Sequence, residues 1–161
     1  VEGDEYSAAA EAYGVALERL ARAYEADPDA RLDLVQDIHL QLWRSLENFD
    51  GRCSLRTWVY RVAHNVATSH VMRQRRLRRG LVSIEDVESL PDGAPERPAL
   101  ERDRLYALIQ RLKPLDRQII VCYLEGMDAA ATGEITGLSA ANVAMKIHRI
   151  KNVLKRWFHE V

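Results

Sequence analysis

Between residues 51 and 80 lie eight arginines, Arg52, Arg56, Arg61, Arg73, Arg75, Arg76, Arg78 and Arg79, and no acid. Trp58, Tyr60, His64 and Asn65 stand among them. Guanidinium groups pair with phosphates, aromatic faces stack on bases and an amide meets a base edge, so the mixture suits single-stranded nucleic acid. Residues 139–161 form a second basic stretch, with five Lys and Arg against one acid. There Ala141, Met145, His148, Arg149, Asn152, Lys155 and Arg156 share the helix face opposite Val143, Ile147, Ile150 and Leu154, at about 100° per residue. A helix bearing such a face fits the major groove of duplex DNA. Its first turns would reach base edges, while Lys155 and Arg156 would meet phosphates. Plainer readings stand beside both patterns: Trp58 and Tyr60 as core or boundary residues, and the basic faces as solvated helix surfaces.

Catalytic chemistry finds little footing. His39, His64, His70, His148 and His159 are scattered, with no HExxH pair and no Gly-rich phosphate loop. Cys53 and Cys122 are too few and too far apart for a disulfide framework or a zinc site. The expectation is a protein that is not an enzyme and takes no metal or cofactor. Cys53 is either a small residue that fits or a redox sensor. No apolar run approaches the roughly 18 residues that span a bilayer. Val1–Tyr13 shows no secretory pattern, so the sequence reads as cytoplasmic and not inserted in a membrane.

The elements that must position these residues are helical, for no strand-like alternation stands out along the 161 residues. A first helix is expected over Asp4–Glu25. A second starts at Pro28 with Leu32, Val35, Leu42 and Leu46 inward. Asn48 to Ser54 reads as a loop around Asp50-Gly51, and Ser54 caps a third helix over Leu55–Arg79 that Gly80 stops. On that helix Val59, Val62 and Val66 are expected inward, with Thr57, Tyr60, Arg61, His64 and Thr68 pointing away. Pro91, Asp92-Gly93, Pro95 and Pro98 mark residues 81–100 as an acidic linker. Beyond it come helices over Leu100–Leu112 and Asp116–Leu124. A short helix then leads from the Asp128 cap to Thr136, and after the Gly137 turn the Ser139 cap opens a last helix to His159. Short helix, glycine turn, capped long helix is the order of a helix-turn-helix.

Charge follows the same division. The net charge of −1 averages −8 over residues 1–50, +8 over 51–80, −5 over 81–103, zero over 104–138 and +4 over 139–161. Two polyanion-facing surfaces separated by an acidic stretch are thus hidden within a near-neutral total. The fold class expected is all-α, with two small helical domains, residues 1–80 and 101–161, joined by a linker at 81–100.

Specific residues then carry a resemblance. Asp33 to Asp37, Leu42-Trp43-Arg44, Phe49-Asp50-Gly51 and the run Leu55 to Asn65 resemble the second conserved region of bacterial sigma factors of the extracytoplasmic-function group. Leu115 to Gln118, Tyr123 to Gly126, Ile135 to Ser139 and Val143 to Arg149 are similar to the fourth region of the same group. The resemblance implies a dissociable subunit of RNA polymerase. It implies that Leu34, Asp37, Ile38, Gln41, Leu42 and Trp43 dock on the clamp helices of the polymerase's largest subunits. It assigns Asn48, Phe49, Asp50, Gly51, Arg52, Ser54, Trp58, Arg61, His64 and Asn65 to the opened −10 element of promoter DNA. Ser139, Ala144, Met145, His148, Arg149 and Lys155 fall to the −35 duplex, and an anti-sigma factor is an implied partner. An autonomous helix-turn-helix regulator that needs no polymerase is the alternative. Thr132-Gly133 departs from the family's usual aliphatic residue and Ala, and the expectation is a loosened helix there.

Overall fold

The structure is a computed structural model that describes residues 2–75 and 101–159. Among these residues there are seven helices and no strand. The chain divides into two compact units at Gln74/Arg75. Residues 76–80, which include the expected end of the third helix, and the linker at 81–100 lie outside the described residues.

In the N-terminal unit, α1 (Glu2–Tyr24) buries Ala9, Ala16, Leu17, Leu20, Ala21 and Tyr24, a stripe at helical spacing. Its small residues let α2 (Pro28–Leu46) lie close. The start of α2 is fixed by Asp27, whose carboxylate accepts from the Ala30 N–H at 2.9 Å, with Pro28 in the first turn. Leu34, Ile38, Leu42 and Leu46, four residues apart, form its buried ridge. Full burial of each such side chain contributes about 1.5–3 kcal/mol. That ridge turns Leu32, expected inward, about 160° away from Leu34 at 100° per residue, and Leu32 is 63% exposed.

α3 (Leu55–Arg75) begins where Ser54 Oγ accepts from the Thr57 N–H at 3.1 Å. Its inward face differs from the expected valine stripe. Thr57, Val59, Tyr60, Ala63, His64, Ala67, His70 and Val71 are buried, whereas Val62 and Val66 are only half-buried. Thr57 Oγ1 accepts from Ser54 Oγ at 3.0 Å, and the other polar members of this face find partners on or just past α1. His64 Nδ1 is hydrogen-bonded to the Tyr24 hydroxyl at 2.8 Å, and the Tyr60 ring meets Tyr13 edge-on at 6.3 Å. Glu25, just past the end of α1, accepts from His70 Nε2 at 2.9 Å.

The C-terminal unit contains α4 (Glu101–Ile109), α5 (Pro114–Leu124), α6 (Ala129–Thr136) and α7 (Ala140–His159). Proline in the first turn lets α5 start two residues before the expected Asp116. Buried Arg117 turns its guanidinium onto the carbonyls that end the preceding segment, donating to Leu112 O at 2.6 Å and to Gln110 O. Asp116 meets Lys146 of α7 at 3.5 Å. Val143, Ile150, Val153, Leu154 and Trp157 are the buried ridge of α7. Arg104 and Arg111 lie over the Phe158 and Trp157 rings, at 4.3 and 4.0 Å, and hold down its C-terminal end.

Asp128 caps α6 by accepting from the Ala131 N–H at 2.8 Å. Gly137, at φ 83°, ends it in the left-handed conformation that glycine adopts without strain. Gly133 does not loosen this helix. A Cβ on Gly133 would stand 2.6 Å from the Leu138 carbonyl oxygen, so its bare α-carbon is what lets the turn fold back against α6. Buried Thr132 beside it leaves Oγ1 without a hydrogen-bond partner among the described residues.

Candidate polymerase and nucleic-acid interfaces

The residues that resemblance grouped on α2 separate by helix face. Leu34, Ile38 and Leu42 are fully buried in the unit's own core and cannot meet a partner, which corrects their assignment to polymerase. Asp37, Gln41 and Trp43 are exposed. Sequence reasoning missed Leu40, 44% exposed, which with Leu32 and Trp43 makes an apolar ridge along the outer side of α2. The signal was present: Leu32, Leu40 and Trp43, with Gln36 between them, keep helical spacing opposite the buried leucines, so α2 carries apolar residues on two faces.

The 48–54 loop is held by its own side chains. Phe49 and Trp58 are half-buried with ring centroids 5.4 Å apart, and the Trp58 indole N–H donates to Ser45 Oγ at 3.2 Å. These rings pin the loop to α2 and α3, in line with the packing alternative for Trp58. Asp50 Oδ1 accepts from the Arg52 N–H at 3.1 Å while Oδ2 pairs with Arg52 Nε at 2.9 Å. The Arg52 side chain is nonetheless 91% exposed. Asn48, Asp50, Gly51 and Ser54 are exposed beside it, with Ser54 occupied as the α3 cap. Cys53 is half-buried.

His64 is the second correction. Its ring is fully buried, and desolvation lowers its pKa from 6.5 to about 3, so it is neutral at pH 7 and packs between Tyr24 and Tyr60. It offers nothing to a DNA strand. Arg61 is half-buried and Asn65 exposed. Asn65 lines a groove of about 540 Å³ between α2 and α3, shared with Asp37, Gln41, Ser45, Ser69 and Arg73. Residues assigned from sequence to two different partners thus line one groove, and Ser69 and Arg73 join them.

On α7 much of the expected outward stripe is exposed, but Arg156, expected on it, is half-buried. Ser139 accepts from the Asn142 N–H at 3.2 Å and caps the helix. Ala144, Met145, His148 and Lys155 are exposed, Met145 by 58%. Arg149 is half-buried and Ile147, expected on the core stripe, is half-buried as well. Asn152 is exposed one turn beyond His148. No group of three or more metal-binding side chains occurs among the described residues. No helix among them is long and apolar enough to cross a membrane.

Known proteins match this arrangement region by region. The Sigma-70 region 2 family matches residues 9–77 and the Sigma-70, region 4 family matches residues 102–154. The RNA polymerase sigma factor NccH of Alcaligenes xylosoxydans xylosoxydans is 31% identical over 163 residues, covering 93% of this chain and 86% of NccH. This chain is a sigma-70-family sigma factor of the extracytoplasmic-function group. The ECF RNA polymerase sigma factor SigX of Bacillus subtilis is 24% identical over 139 residues, covering 81% of this chain and 71% of SigX. Among solved structures, the sigma factor RpoE of Bartonella quintana, in complex with the anti-sigma factor NepR, has a TM-score of 0.67 at 17% identity. It covers 93% of this chain and 96% of that one, and it supports the fold alone. As a sigma factor, this protein partners core RNA polymerase and promoter DNA and directs transcription initiation.

Proposed function

We propose that the N-terminal unit of this sigma factor captures the opened −10 strand while the C-terminal unit reads the −35 element as duplex. The observation that carries the proposal is the pair of exposed polar surfaces, one in each unit. One is the ordered 48–54 loop with the Asn65 groove; the other is the outward stripe of α7. Asn48, Arg52, Asn65 and Arg73 supply amide and cationic contacts to an unpaired strand. Unpairing and unstacking cost a few kcal/mol per base, so contacts made only to the single strand are what drive opening. Phe49 and Trp58 stiffen the loop, and Ser54 starts the helix behind it. On α7, Ala144, Met145 and His148 reach base edges, while Lys155 and Arg149 serve the phosphates.

The apolar ridge Leu32–Leu40–Trp43, flanked by Asp37 and Gln41, docks on the clamp helices of the polymerase. Residues 81–100 connect the two units. The function is recruitment and strand capture in the cytoplasm, with no catalytic step of its own. RpoE was solved with an anti-sigma factor, and we extend such a partner to this chain.

The test is run-off transcription from a promoter selected by the reconstituted holoenzyme, with gel mobility of the same DNA with and without core enzyme. Transcripts that require the sigma factor, and DNA binding that requires core enzyme, are expected. Tight duplex binding by the free chain with no transcript would return the autonomous regulator.

A further inference from the structure

The outward stripe of α7 contains a side-chain pair as well as single contacts. His148 and Asn152 are exposed and one turn apart, with Asn152 Nδ2 3.3 Å from His148 Nε2. Neither side chain has another hydrogen-bond or ion-pair partner among the described residues. With the amide in this orientation Nδ2 donates, so Nε2 supplies the lone pair and, in the neutral ring, the proton sits on Nδ1. We infer that Asn152 is a positioning residue that fixes the tautomer of His148, so that His148 presents Nδ1–H, a hydrogen-bond donor, to one base of the −35 duplex. This rests on the proposed duplex reading by α7.

The consequence is a base preference. In the major groove guanine offers the acceptors N7 and O6, thymine O4 and adenine N7, whereas cytosine offers its N4 amino donor. A donor at His148 is accepted by guanine, thymine or adenine N7 and rejects cytosine, because donor against donor leaves both groups desolvated and unpaired. With Asn152→Ala the ring is released, its proton moves freely between the nitrogens, and a bare Nδ1 accepts from cytosine. The preference relaxes at that one position while the rest of the stripe is untouched.

The experiment is selection by holoenzyme, reconstituted from the full chain and core polymerase, on a promoter library randomised across both elements. Wild type is compared with His148→Ala, Asn152→Ala and Asn152→Gln. Wild type is expected to disfavour cytosine against the best of guanine, thymine and adenine at one −35 position by roughly tenfold, the scale of one good base contact. His148→Ala removes that preference. Asn152→Ala brings it within about twofold with the other positions unchanged, and Asn152→Gln, which keeps an amide donor, restores it. The tautomer inference is overturned if Asn152→Ala keeps the full preference at the position that His148→Ala loses. It is equally overturned if Asn152→Ala flattens all −35 positions together, if cytosine is favoured by wild type there, or if His148→Ala alters no position. If wild type shows no −35 preference at all, the duplex reading falls and the inference with it.

Discussion

His64 lies among arginines in the sequence but inside the protein in the fold, hydrogen-bonded to Tyr24. Burial holds its pKa near 3, against 6.5 when solvated. Between those values the unfolded chain binds a proton that the native state refuses. Stability of the N-terminal unit therefore falls as pH drops below 6.5, by at most roughly 1.4 kcal/mol per pH unit. Urea denaturation at pH 7.5 and pH 5 should show this loss, and His64→Gln should flatten it. Thr132 is a second case: its hydroxyl is inside without a hydrogen-bond partner among the described residues. Thr132→Val keeps the shape and removes the unpaired group, so the C-terminal unit should gain about 1 kcal/mol, read as a higher melting temperature. Neither placement was legible beforehand. The inward face of α3 mixes Val59, Val71 and alanines with a threonine, two histidines and a tyrosine, and the partners of the last three, Tyr13, Tyr24 and Glu25, lie on or just past α1. Side-chain hydropathy on α3 alone points instead to Val62 and Val66.

At the scale of the element, caps and breaks were legible because their chemistry is local. Asp27-Pro28, Ser54, Asp128, Gly137 and Ser139 all stand where their side chains or backbone require. Helix faces were harder. α2 has apolar residues on two sides, and only packing against α1 shows that Leu34, Ile38 and Leu42 are core while Leu40 and Trp43 are surface. Trp43→Ala and Leu40→Ala should therefore change stability by no more than about 0.5 kcal/mol, yet weaken core polymerase binding about tenfold or more in a competition assay. Ile38→Ala should cost roughly 2–5 kcal/mol of stability, since it opens a cavity. In α6, Gly133→Ala sets a helix-propensity gain of about 1 kcal/mol against a clash with the Leu138 carbonyl. That oxygen belongs to the backbone of a tight turn and cannot swing aside. The clash should win, with a net loss of roughly 1–2 kcal/mol in melting experiments and weaker −35 discrimination as the turn opens.

For the whole molecule, charge segregation along the chain was the most telling sequence feature. A net charge of −1 conceals basic stretches of +8 and +4, and the described residues of each include a helix with polar side chains on its outward face. The two-unit division and the all-helical class were legible from periodicity and the Pro-Gly run. The groove shared by Asp37, Gln41 and Asn65 was not, since it depends on how the successive helices α2 and α3 are rotated against each other. Permanganate reactivity of promoter thymines in the bound holoenzyme tests the division of labour most directly. Wild type should expose unpaired thymines at the −10 element. Arg52→Ala combined with Asn65→Ala should leave a bound complex whose thymines stay unreactive, whereas His148→Ala should reduce binding without changing the opened fraction of bound complexes. Wild-type reactivity in the Arg52/Asn65 double variant would contradict strand capture by the N-terminal unit.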